Sequence, residues 1–80
     1  MEEKEIIWKC RRGTKELDIL MSNFYYKFYK SASKSQKNAF IKLLSLEDPI
    51  IYDLLLNKIS SKDIAVNQIT DMIRNMRLKE

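Results

Sequence analysis

TKELDILMSNFYYKF, residues 14–28, sets Leu17, Leu20, Met21, Phe24 and Phe28 on one stripe of a helix, at steps of three and four. Thr14 stands where an N-cap is expected. Glu16 and Asp18 follow in the first turn, where acids suit the positive end of the helix dipole. Tyr25, Tyr26 and Tyr29 widen or flank the stripe. The rest of the chain falls into similar segments on either side.

On the N-terminal side a first helix is expected from about Glu2 to Arg12, with Ile6, Ile7 and Cys10 near one face and Trp8 apart from it. Gly13 ends it, in the position where a left-handed C-cap is easiest. Arg11 and Arg12 then belong to its last turn, facing the carbonyl end of the dipole. On the C-terminal side SASKS breaks the aromatic helix, and Ser33 with Gln36 has capping-box spacing for a third. That helix carries Phe40, Leu43 and Leu44 on one face with Ala39 beside them. LEDP reads as a stop and a restart, with Asp48 as N-cap and Pro49 at the first helical position. Ile51, Leu54 and Leu55, with Tyr52 and Leu56, make the fourth helix strongly apolar. Ser60 and Asp63 resemble another capping box. The last helix has the stripe Val66, Ile69, Ile73 and Met76 and ends in a charged tail from Arg74 to Glu80. Short linkers between amphipathic segments are those of helices that fold back on their neighbours. The expected fold is all-α, a compact single-domain five-helix bundle over residues 1–80.

Composition agrees and narrows the function. Apolar residues make up 45 % of the chain, enough for a core in a domain whose small size leaves a modest stability margin. One Gly and one Pro leave little turn chemistry for hairpins. With no histidine and a single cysteine, Cys10, neither a disulfide nor a protein-only zinc, iron or copper site is expected. Ser-His and Cys-His catalysis are excluded for the same reason. A single glycine rules out a Gly-rich phosphate loop, so the chain is not expected to hold a nucleotide or flavin itself. The acidic carboxylates Glu47 and Asp48 are explained as capping residues. No apolar run is long enough to span a bilayer, and MEEKEIIWK lacks the layout of a signal or transit sequence, so the expected place is a bacterial cytoplasm. The net charge is +4, but basic and acidic residues are interspersed along the chain, which argues against nucleic acid as the partner.

What stands out is KCRRGTKELD, residues 9–18. Lysine outnumbers arginine eleven to four, yet an Arg-Arg doublet abuts the only glycine. The corner admits two readings. In one, Gly13 caps a helix, the arginines sit on its dipole and Glu16 opens the next. In the other, the planar fork of arginine grips a carboxylate or carbonyl of a partner, and the bare backbone of Gly13 lets that partner approach. Trp8 is either edge packing or an interface anchor. In FYYKFYK, residues 24–30, stacking on single-stranded nucleic acid is weighed against a role in core and rim, and the stripe favours core and rim.

The run Trp8-Lys9-Cys10-Arg11-Arg12-Gly13-Thr14-Lys15-Glu16-Leu17-Asp18 resembles the signature of the succinate dehydrogenase flavinylation factor family, whose hallmark is Arg-Gly-x-x-Glu. The later FIKLL, EDP and IY segments match the family's pattern in the same order, so the resemblance covers nearly the whole chain. It implies a five-helix fold and a non-enzymatic assembly factor. Such a factor binds the flavoprotein subunit of succinate dehydrogenase, and in some bacteria that of fumarate reductase, and promotes covalent attachment of FAD to a histidine there. It further implies partner-binding roles for Arg12, Gly13 and Glu16, with Arg11, Trp8 and Asp18 at the flanks. Glu5, Thr14 and Leu54 depart from the family's usual residues, which are basic, Met and Trp. The free protein is expected to be a monomer. A second expectation stays beside the first: an antitoxin-like or regulatory module acting on a different protein partner.

Overall fold

The computed structural model describes residues 2–78, with side chains as far as Met76; the end of the charged tail, Lys79 and Glu80, lies outside the described residues. Five α-helices follow in order: α1 Glu3–Cys10, α2 Lys15–Phe28, α3 Lys34–Leu44, α4 Asp48–Leu55 and α5 Ile64–Leu78. A 3-10 turn, Tyr29–Ser31, joins α2 to α3. The Cα radius of gyration is 11.4 Å, close to the ~11.6 Å of a compact chain of this length. α3 packs along α5, α1 against α2 and α3, and α4 against α5.

The core is one cluster built from the expected stripes. Phe40, Leu43 and Leu44 of α3 meet Val66, Ile69, Ile73 and Met76 of α5, with Leu17, Met21 and Phe24 of α2 and Ile51 of α4. Phe24 and Phe40 stack at a tilt, ring centroids 4.7 Å apart. Two details of α2 differ from the expected stripe. Tyr25 is buried, whereas Phe28 sits at the rim. The buried face follows the i, i+4 ridge Leu17–Met21–Tyr25, and α2 ends at Phe28, so the last residue overhangs the core instead of entering it.

The helix ends account for most of the local differences from expectation. The Ser33–Gln36 capping box is present in full. At α4 the N-cap is Glu47, one residue earlier than expected, so Asp48 opens the helix and its carboxylate is turned elsewhere. At α5 the cap is made by Asp63, not Ser60: Asp63 Oδ1 accepts from Ala65 N–H at 3.0 Å, and Lys42 donates to Asp63 Oδ2 at 2.7 Å. Those donors hold the Asp63 carboxyl below its ordinary pKa, the lysine contact first. The left-handed C-cap is also not at Gly13. Among the described residues it falls on Asn57, with φ 61°. There Asn57 N–H reaches Leu54 O and Lys58 N–H reaches Asp53 O, the two bonds of a Schellman motif.

Arg74 completes that end of α4 from another helix. Its Nε and Nη2 donate to Leu55 O and Leu54 O, each at 2.8 Å. Arg74→Ala leaves these part-buried carbonyls without those donors, and a loss of about 1–2 kcal/mol is expected, seen as a lower urea midpoint at unchanged slope. An unchanged midpoint would show that the Schellman motif alone suffices.

Candidate functional site

The Arg12 corner is a junction between two helix connections. α1 stops at Cys10 because Arg11 turns extended, with φ −74° and ψ 121°. Arg11 and Arg12 therefore lie after the helix, not in its last turn. Arg12 then reaches across the molecule. Its Nε donates to Asp48 Oδ1 at 2.8 Å, Nη1 to Leu44 O and Lys9 O at 2.9 Å each, and Nη2 to Leu46 O at 2.6 Å. The side chain is only 11 % exposed. One planar group thus closes the carbonyl ends of α1 and α3 and neutralises the carboxylate that opens α4. A lysine ammonium cannot span four acceptors in these directions, which is why this chain, rich in lysine, uses arginine here.

Gly13 owes its place to the same carboxylate. Its N–H donates to Asp48 Oδ2 at 3.1 Å, and a Cβ built on Gly13 would meet that oxygen at 3.3 Å. Its φ is not positive, so close approach is the reason for glycine. Thr14 stands at the N-cap position of α2, yet its side chain makes no capping bond. Its hydroxyl instead shares a hydrogen bond of 2.8 Å with the Tyr52 hydroxyl. Three consecutive residues, Arg12, Gly13 and Thr14, are thereby fastened to the α3–α4 connection and the first turns of α4. The Arg-Gly-x-x-Glu and EDP/IY segments, far apart in the chain, form one structure.

The other candidate residues surround this junction with their side chains outward. Trp8 is 76 % exposed on α1. Arg11 is exposed and lies 3.3 Å from Asp18 Oδ1, an oxygen that is covered from solvent and has no hydrogen-bond donor in proper geometry. Glu16 is exposed in the first turn of α2. A shallow groove of about 360 Å³ runs between Arg11, Asp18, Ile19 and Tyr26 along the α1–α2 seam. Trp8, Arg11 and Glu16 are therefore presented, while Arg12 is turned inward. Of the departures, Glu5 is exposed, Leu54 lies in the core and Thr14 belongs to the junction.

Sequence reasoning missed Asp48 and Tyr52 as members of this corner. Asp48 was expected to cap its own helix, and nothing local signals that a carboxylate will bond 36 positions back. The usable signal was the joint presence of the two segments.

Cys10 lies beneath the corner and is buried. Burial pushes its thiol up to about 11, against a smaller lowering by Arg12 and a raising by Asp18. At pH 8 the thiol is protonated and covered, so native protein is expected to resist alkylation and to react fully in urea. Rapid modification of one native thiol would show that α1 detaches readily.

A family model described as the flavinator of succinate dehydrogenase matches residues 4–77 of the chain. The chain belongs to this family. It is 38 % identical over 76 residues to the FAD assembly factor of Coxiella burnetii, covering 95 % of this chain and 93 % of that one. It is 39 % identical over 70 residues to the FAD assembly factor of Yersinia pseudotuberculosis, covering 88 % and 80 %. To that of Pectobacterium atrosepticum it is 35 % identical over 72 residues, covering 90 % and 82 %. The resemblance read from the motif is thus shown over almost the full chain, and the all-α, five-helix fold expected from it is the one observed.

Proposed function

We propose that this protein is an assembly factor that binds the flavoprotein subunit of succinate dehydrogenase and promotes covalent attachment of FAD to it. The observation that carries this reading is the family match across residues 4–77. The junction supports it physically: a fixed corner presents Trp8, Arg11, Glu16 and the backbone edge at Gly13, with Asp18 behind Arg11. In this reading those residues make the client contact, and Arg12 acts through the shape it holds. A rigid corner loses little freedom on docking, so more of the contact energy appears as affinity.

The factor works by preferring the client conformation in which attachment occurs, which raises that population. It is not itself an enzyme, holds no FAD of its own and acts as a monomer in the cytoplasm. The flavoprotein of fumarate reductase is a second client of the same chemistry. Among the described residues no helix is long and apolar enough to cross a membrane.

Deleting the gene is the direct test. The flavoprotein subunit is expected to persist while its covalent flavin, read as fluorescence in a denaturing gel, falls severalfold and returns on complementation. Normal covalent flavin in the deletion strain overturns the proposal.

A further inference from the structure

Residues 19–46 contain five lysines and no acid, more positive charge than the +4 of the whole chain. Charge that is interspersed over the full sequence is thus segregated here. Lys42 is tied to Asp63 at the far end of α3. Lys27, Lys30, Lys34 and Lys37 occupy the end of α2, the 3-10 turn and the opening of α3. Between them stand Tyr26, 69 % exposed, and Phe28 at the rim. We propose that this lysine-and-aromatic corner docks reversibly on a bilayer surface carrying anionic phospholipid headgroups.

The helix dipole does not account for the lysines that open α3. Lys34 begins α3 and Lys37 lies one turn in, with no acid in that first turn, so both cations sit at the unfavourable end of the helix dipole. Lys37 lies over the Tyr29 ring at 5.4 Å, which favours a cation there but does not need four of them. The chemistry fits a headgroup layer better than a nucleic acid. No arginine lies in the segment, so fixed bidentate grips on phosphate are absent, whereas lysines act as point charges on headgroups of any orientation. A bound strand needs a basic channel, yet the groove that Tyr26 and Lys30 line also carries Glu3, and the one beside Arg11 carries Asp18. A turn of chain with flanking aromatic rings and long lysine stems suits the interface of a bilayer, where rings sit at headgroup level and stems extend outward. The corner also lies at the opposite end of α3 from Leu44, to which Arg12 is bonded, about 15 Å away along the helix. Lipid contact and the Arg12 junction therefore do not compete for surface.

The test is flotation of the full chain with vesicles. Vesicles of phosphatidylcholine and phosphatidylglycerol are expected to carry the protein at low salt, and pure phosphatidylcholine vesicles are not. Binding should fall steeply between roughly 50 and 200 mM salt as the Debye length shortens. Each lysine removed is expected to lower the partition about fivefold, so K30S/K34S together should lower it on the order of 25-fold. Both positions are exposed, and an unchanged circular dichroism spectrum and urea midpoint certify the fold of the variant. Tyr26→Ser should weaken partition further at constant charge. No flotation on anionic vesicles at low salt, or equal flotation of the double variant, overturns the proposal. So does displacement from the vesicles by a stoichiometric single-stranded oligonucleotide, which would assign the corner to nucleic acid.

Discussion

Arg12→Ala is expected to lower stability by about 2–4 kcal/mol, a large share of what a domain of this size possesses. The substitution removes an ion pair and leaves Asp48 together with the carbonyls of Lys9, Leu44 and Leu46 short of a donor. Both partners are mostly covered, with side chains 11 % and 25 % exposed, so water replaces the lost bonds only in part. For 80 residues this corresponds to a melting temperature lower by on the order of 15 °C. Arg12→Lys keeps the charge near Asp48 but cannot reach the carbonyls in their separate directions, so about half the loss should remain. Asp48→Asn should be nearly as costly as the alanine variant, because it leaves a part-buried guanidinium facing a neutral amide. Thermal and urea unfolding of the three variants decide the matter. A midpoint unchanged in Arg12→Ala would show that the fork is not a structural tie, and would return it to the surface as a direct client contact.

Trp8→Ala is expected to behave in the opposite way. The ring is mostly in solvent, so removing it should leave stability within ~0.5 kcal/mol. If the proposed docking face is right, the ring becomes buried against the client, and its truncation should weaken binding by about 30-fold, the effect of an anchor residue near 2 kcal/mol. Calorimetric titration of the flavoprotein subunit with each variant separates the two roles. Trp8→Ala should bind poorly while melting normally. Arg12→Ala should lose both together, and regain binding at a temperature low enough to refold it. An affinity for Trp8→Ala within twofold of the parent removes Trp8 from the contact.

The pattern of variants at Gly13 follows from the same geometry. A side chain there pushes on Asp48 Oδ2, so it disturbs the fold's own junction as well as any docking surface. Loss of function in a Gly13 variant therefore says less about the contact than loss in Trp8 or Glu16 variants. Glycine looked like a helix terminator in the sequence because its commonest use after a helix is a left-handed cap. In this protein Asn57 performs that task after α4.

Much of the architecture was legible in the residues themselves. The stripes Phe40–Leu43–Leu44 and Val66–Ile69–Ile73–Met76 are buried as their spacing implies, because helical periodicity is a local property and a face with that many apolar groups has no other stable place. The Ser33–Gln36 box was readable for the same reason, since both partners lie within one turn. Helix boundaries at Cys10, Glu47 and Asp63 moved by one to three residues, because the competing cap depends on what the side chain finds across the fold.

The candidate corner divides along the same line. Its residue types, Arg12, Gly13 and Glu16 with Trp8 nearby, were visible in sequence, as was their likeness to a family. Which of them face outward was not. A guanidinium bonded to acceptors 32 to 36 positions away, and a glycine required by a carboxylate 35 positions away, follow from how α3 and α4 come to rest against α1 and α2. Local sequence determined the helices and the one core they make. Tertiary packing alone decided that Arg12 is a tie within the fold and Trp8 a surface, because orientation is set by the partners a side chain meets and those arrive only when the bundle closes.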